Sequence, residues 1–304
     1  MNQKISALIF ISLLSFILAS CEAEEEEKTG TIFKGGTDGI IASFETIGIE
    51  QEGRNTIFEN EAFAITLKVL NKGEYDVEAN ELKAVLKGIS LSDYDNIVSG
   101  GARTNAQKIE AISEFNTEGG ETSLEFTTAP GAKYKNKLFG GRLPVDIFAD
   151  IEYKYQTKLV IPKVCHKQNP RDTRICNVEG IKEFSDSGAP VTVESVEEGY
   201  AGANIIFLKI MLKNNGFASG ARTGLPNVDF NSVQDLAALT PPSDWTCVSG
   251  GRTNEARFVN GVAEVRCKIN TPLEKDALFE KKFDLSIDYK YKVLVQQALQ
   301  IKTG

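Results

Sequence analysis

The chain has 304 residues, enough for two domains of ordinary size, and its 41% hydrophobic and 25% charged residues exclude a disordered or collagen-like polypeptide. Acidic residues outnumber basic ones, 42 to 34, for a formal net charge of -8. A body this acidic has no electrostatic reason to seek phosphates, so no nucleic-acid partner is expected.

The first segment pairs a short basic start, Met1 to Lys4, with an apolar run from Ile5 to Leu18. That run is well short of the ~20 residues a membrane-spanning helix needs, and it reads as the core of a signal peptide over residues 1–20. Leu18-Ala19-Ser20-Cys21 resembles the lipobox of prokaryotic lipoproteins. The resemblance implies cleavage before Cys21, a lipid on that cysteine and a location on the outer face of a membrane. A plain secretory cleavage beside an incidental cysteine is the alternative. Loss of the leader, whose one charge is Lys4, takes the net charge from -8 to -9. Residues 21–37 begin with Glu22-Ala23-Glu24-Glu25-Glu26-Glu27, too charged to pack, and read as an acidic tether.

Residues 38–162 read as a first β-sandwich. Phe63, Ile65, Leu67 and Val69 alternate with Ala64, Thr66 and Lys68, and Val145 to Ile161 alternates in the same way. A straight strand over Val145–Ile161 is longer than one domain is wide, so a bend, bulge or change of sheet is expected near Tyr153 to Gln156. Ser90–Ile97 has a weak helical pattern. Residues 163–189, with Cys165, His166, Asn169-Pro170 and Cys176, read as a linker.

Residues 190–304 read as a second β-sandwich because three local patterns recur in order. An apolar strand ending in Asn71-Lys72-Gly73 returns ending in Asn214-Asn215-Gly216. Val98-Ser99-Gly100-Gly101-Ala102-Arg103-Thr104-Asn105 returns as Val248-Ser249-Gly250-Gly251-Arg252-Thr253-Asn254, and Ile151-Glu152-Tyr153-Lys154-Tyr155 as Ile287-Asp288-Tyr289-Lys290-Tyr291. Val233–Leu239 again has a weak helical pattern. The fold expected is all-β: two tandem immunoglobulin-like antiparallel sandwiches joined by a cysteine-bounded linker.

The strand-Asn-x-Gly pattern is similar to that of immunoglobulin-like modules on prokaryotic surfaces, the CARDB-like domains among them. Phe33-Lys34-Gly35-Gly36-Thr37-Asp38-Gly39, Asn71-Lys72-Gly73 and Gly188-Ala189-Pro190-Val191 resemble segments of uncharacterised archaeal cell-surface proteins. The resemblance implies fold and surface location, and it transfers no functional residue.

Few residues invite chemistry. Cys165, Cys176, Cys247 and Cys267 fall in two close pairs, and an even count in an exported chain favours disulfides, paired here by proximity. His166 is the only histidine and reads as an exposed loop residue beside Cys165. Arg103 and Arg252, next to paired glycines, are the candidate ligand loop, with a tight turn as the competing reading. The Phe33–Gly39 segment reads as a flexible lead-in to the first strand. The four tyrosines share the phase of the aliphatic residues and read as core, and Trp245 is expected on the nearby disulfide. No cofactor, metal or catalytic residue is expected. The function expected is a lipid-anchored, non-enzymatic adhesion or envelope-assembly module with surface-protein partners. The alternative is a lipoprotein binding a small solute or glycan for a membrane complex, with a pocket between the domains, near Cys165–Cys176 or the arginine loops.

Overall fold

The alternating segments are strands. The computed structural model describes residues 33–202, 204–230 and 235–304, and every regular element among them is a β-strand or a single 3-10 turn. Residues 1–20, Cys21 and the tether as far as residue 32 lie outside the described residues, so the readings placed on them rest on sequence alone.

Two long strands frame the fold: Arg142–Lys167, of 26 residues, and Leu278–Lys302, of 25. They run antiparallel along their whole length, with Arg142 opposite Lys302 at one end and Lys167 opposite Leu278 at the other. At about 3.3 Å per residue this ladder is on the order of 80 Å long. The period-two pattern holds, since Ile147 to Ile161 and Phe283 to Tyr291 are buried at the odd positions. No bulge or change of sheet occurs near Tyr153 to Gln156, where the register is unbroken. Each long strand serves both halves of the molecule, so it has no reason to stop where one sandwich ends. Its one irregularity lies between Ile161 and Val164. Pro162 sits there, lacking the N–H that a ladder position requires.

Each half adds a second layer. In the first, Ile40–Phe44, Thr66–Asn71 and Glu121–Glu125 make a three-stranded antiparallel sheet. Leu82–Lys87 pairs with the first long strand, and Ala102–Thr104 pairs with Leu82–Lys87. In the second, Val191–Gly202, Ile205–Asn214, Val262–Ile269 and Trp245–Ser249 are the middle of a six-stranded sheet, while Leu236–Thr240 pairs with the second long strand. The two layers in each half enclose one continuous apolar core, as sheet-on-sheet packing demands. The described residues form one compact unit, because the long ladder is common to both halves.

Residues 163–189 hold more order than a linker. Val164–Lys167 complete the first long strand, Gly180–Ile181 pairs with Val191–Gly202, and Ser185–Asp186 pairs with the first long strand. The Phe33–Gly39 segment is tied rather than flexible: the Glu74 carboxylate accepts the backbone N–H groups of Lys34 (2.8 Å), Gly35 (3.0 Å) and Gly188 (2.6 Å). The helical expectations mostly fail. Ser90–Ile97 forms the single 3-10 turn Leu91–Asp93 and then the short strand Tyr94–Asp95, and Leu236–Thr240 is a strand; Val233 and Gln234 lie outside the described residues. Apolar residues three and four apart occur in both stretches by composition, and sheet pairing decides the outcome.

The recurring Asn-x-Gly and Tyr-Lys-Tyr motifs meet in space. Tyr155 donates its hydroxyl to Asn71 Oδ1 at 2.9 Å, and Tyr291 donates to Asn214 Oδ1 at 2.6 Å. The same oxygens accept the N–H of Gly73 (3.2 Å) and Gly216 (3.1 Å). Tyr153 and Tyr289 accept the N–H groups of Ile40 and Val191, each at 3.3 Å, where the first strand of each half begins. In the ladder Tyr153 lies opposite Tyr291 and Tyr155 opposite Tyr289. The four rings therefore cluster at its middle, with neighbouring centroids 5.7 to 6.4 Å apart. Burial raises all four hydroxyls above the usual tyrosine range, Tyr291 to about 12, so they stay protonated and remain donors.

A candidate ligand cavity at His166

The sequence-derived sites occupy separate places. Cys165 is bridged to Cys176, closing the irregular stretch against the end of the first long strand, and Cys247 is bridged to Cys267 between neighbouring strands. Arg103 lies on an edge strand of the shared sheet and donates from Nε to the Glu125 carbonyl at 2.6 Å. Arg252 lies on the edge strand of the other sheet, paired with Glu255 at 2.8 Å. Gly250 and Gly251, at φ 55 and 79, form a two-residue hairpin turn between Ser249 and Arg252. Gly100 and Gly101 also have positive φ, at 67 and 57. In both halves the glycine pair serves the turn, and each arginine is engaged beside it.

His166 is not an exposed loop residue. It lies in the last turn of the ladder opposite Phe279 and is only 5% exposed. Its neighbours hold it from behind. Glu198, fully buried, accepts the Cys165 N–H through both carboxylate oxygens (3.0 and 3.2 Å) and is ion-paired with Lys182 at 2.6 Å. The Lys167 ammonium, also buried, donates to the carbonyls of Asp172 (2.8 Å) and Cys176 (2.6 Å). Residues 165–167 are thus fixed by a disulfide, a buried ion pair and a lysine tied to the bridged loop.

In front of His166 is a cavity of about 440 Å³, within the range of small-molecule sites. Its wall includes His166, Asp244, Ile269, Leu273, Phe279 and Lys281, with the turn at residues 271–277 over it. The imidazole stacks on Phe279, centroids 4.8 Å apart and 12° from parallel, and meets the edge of Trp245 at 6.1 Å. Trp245 also packs edge-on against Phe283 at 5.0 Å, which places it in an aromatic cluster with His166. Asp244 and Lys281 form an ion pair at 2.7 Å across the cavity wall.

The tautomer follows from the partners. Nδ1 lies 3.2 Å from the Val164 carbonyl, which can only accept, so Nδ1 carries the proton. Burial lowers the His166 pKa below its usual value, which keeps the ring neutral at pH 7. Nε2 is therefore a bare acceptor, buried and without a hydrogen-bond partner among the described residues. Asp244 is held below the ordinary carboxylate range by the Lys281 ammonium. The wall offers an acceptor (His166), an ion pair able to accept and donate (Asp244 and Lys281) and a half-exposed aromatic ring (Phe279). Among the described residues, no group of three or more His, Cys, Asp or Glu side chains is placed to hold a metal ion.

Asp244, Phe279 and Lys281 carry no mark in the sequence, because the cavity is assembled from three segments remote along the chain. The lone histidine was the only available pointer. No family model matches the chain, and no curated protein does.

Proposed function

We propose that the chain is a membrane-anchored cell-surface lipoprotein, lipidated on Cys21, acting as a non-enzymatic adhesion or envelope-assembly module. In this reading its body is two immunoglobulin-like sandwiches, akin to CARDB-like modules, with residues 163–189 passing between them. The observation that carries the contact role is a pair of aromatic loop tips, Phe115 at 100% and Phe139 at 96% exposure. Each forgoes the roughly 1.5–3 kcal/mol that burying a phenylalanine side chain contributes, and contact with a protein partner would recover it. The test is co-purification of envelope proteins with the full chain from native membranes, against a Phe115→Ser, Phe139→Ser double variant. Unchanged co-purification in the variant removes the loop-tip role. An unmodified Cys21 in the mass spectrum of the membrane-extracted protein removes the anchor.

The cavity favours a second reading: capture of a small solute or glycan for a membrane complex. Its wall includes His166, next to the bridged Cys165, at the end of the ladder rather than between the two halves where a pocket was expected. Titration of the full chain with small sugars, followed by amide shifts at residues 271–277, tests it.

A further inference from the structure

We propose that the cavity at His166 is a site for a neutral, sugar-sized polyol, and that its defining contact is a ligand hydroxyl donated to His166 Nε2. The inference rests on the solute-binding reading above and specifies its ligand and contact. The decisive observation is the orphaned acceptor. A buried polar atom without a partner costs on the order of 1–3 kcal/mol, and folded proteins retain few of them. Nε2 is such an atom on a residue that is 95% buried by its 5% exposure, and that residue lines a cavity.

The chemistry of the wall selects the ligand. His166 can only accept, because Nδ1 is committed to the Val164 carbonyl and burial keeps the ring neutral. The ligand must therefore present a donor, and a hydroxyl fits where a carboxylate or phosphate does not. Asp244 accepts from a second hydroxyl and Lys281 donates to a third, and the two neutralise each other; the other charges of the lining, Glu274, Lys275 and Asp276, are exposed to solvent on the turn. Phe279, 46% exposed and stacked on His166, offers an apolar face for the C–H side of a sugar ring. Nε2 is shut off from solvent as the side chains stand, so the hydroxyl reaches it by a shift of the exposed turn at residues 271–277, while Phe279 and the clamped imidazole stay stacked.

His166 is the only histidine, so a ¹⁵N-histidine-labelled chain gives one imidazole and reads Nε2 directly. The experiment titrates the full, oxidised chain with glucose, galactose, mannose, N-acetylglucosamine and glycerol. It follows the imidazole nitrogens of that sample and, in a second, uniformly ¹⁵N-labelled sample, the amides of residues 271–277. The expected result is that at least one of the hexoses moves the Nε2 resonance toward a hydrogen-bonded acceptor. His166→Phe, which keeps an aromatic ring on Phe279 but has no acceptor, should then weaken that sugar on the order of tenfold while retaining the wild-type unfolding midpoint within the error of the other cavity variants. If a sugar shifts the loop amides but leaves Nε2 unmoved, or binds His166→Phe equally well, the hydroxyl-to-histidine contact is overturned and the solute reading stands. If none of the five shifts either set, both fall. Should His166→Phe unfold, Lys281→Met and Asp244→Asn supply the comparison, each expected to weaken the same sugar without moving the free-state Nε2 signal.

Discussion

The tyrosine-asparagine contacts at the centre of the fold distinguish two glycines that look equivalent in sequence. A Cβ on Gly216 would collide with the Tyr291 hydroxyl and lie 2.8 Å from the Ala221 side chain, with little else in the way. A Cβ on Gly73 would collide with the Tyr155 hydroxyl too, but also lie 2.5 Å from the Asp38 carbonyl and 2.6 Å from that of Gly188, both backbone atoms. Neither glycine has a positive φ, so an alanine at either site is judged on sterics alone. Overpacking of this kind costs about 1–3 kcal/mol. Tyr291→Phe alone should cost about 1 kcal/mol, since Asn214 Oδ1 keeps the Gly216 N–H when the hydroxyl goes. In the second half, removing the hydroxyl also removes the main collision. The double variant Gly216→Ala, Tyr291→Phe should thus be less destabilised than the sum of the singles, by on the order of 1 kcal/mol. In the first half the two carbonyls remain, so Gly73→Ala, Tyr155→Phe should be additive. Urea unfolding of the six variants and wild type measures both couplings. Equal couplings in the two halves, or none in the second, would refute the reasoning.

Four further outcomes are expected. Burial raises the Glu198 carboxyl from an ordinary 4.5 to about 7, against the opposing Lys182 pair, so the folded chain holds that proton more tightly than the unfolded one. Its contribution to stability is fully present below pH 4.5 and is lost as pH rises to about 7, a change on the order of 3 kcal/mol; Glu198→Gln should flatten that part of a urea-midpoint profile against pH, and an unchanged slope would place the proton elsewhere. Replacing Cys247 and Cys267 with alanine opens a loop with a sequence separation of 20 and should cost about 3 kcal/mol in urea unfolding. Opening Cys165–Cys176 the same way should cost a similar amount and also move the His166 imidazole resonances, because that bridge holds the cavity wall. Glu74→Ala removes the acceptor of three backbone N–H groups and should destabilise by about 1–3 kcal/mol, with hydrogen exchange accelerated first at Lys34, Gly35 and Gly188.

What could be read from sequence was whatever depends on near neighbours. Strand alternation is local, and Val145–Ile161 and Phe283–Val295 carried it plainly. So was the burial of the four tyrosines, from their phase alone. What Asn71 and Asn214 do was not legible, because each is joined to a tyrosine 84 or 77 positions away. An Asn-x-Gly reads as a turn, and the buried hydrogen bond that fixes it leaves no local trace. The long ladder was missed for a related reason. A strand rule derived from single sandwiches puts a bend near Tyr153, and nothing in the local pattern says that one strand can run through both halves of the molecule. His166 was misplaced because Asn169-Pro170 and the cysteines nearby suggest a loop, whereas ladder pairing with Phe279 continues one residue beyond it.

The duplication also explains why the cavity stands at one end of the ladder. Adding the 136-residue offset of the tyrosine motif to His166 leads to Lys302, and subtracting it from Phe279 leads to Leu143, both at the opposite end of the same ladder. There the outer side of the second long strand is covered: Arg54–Phe58 runs parallel to it, pairing Leu299 to Lys302. At the His166 end, the corresponding edge of the first long strand carries the disulfide-closed stretch to Cys176 and the buried Glu198–Lys182 pair. The same frame is therefore finished in two ways, by backbone pairing at one end and by side-chain clamps at the other. A paired strand satisfies backbone groups, and the pockets beside it, lined by Arg54, Arg142 and Gln300 or by Thr56 to Phe58, border no orphaned side-chain acceptor among the described residues. Clamps hold the wall from behind and leave the front open, which is how a buried acceptor comes to border a cavity in one half of a repeated architecture.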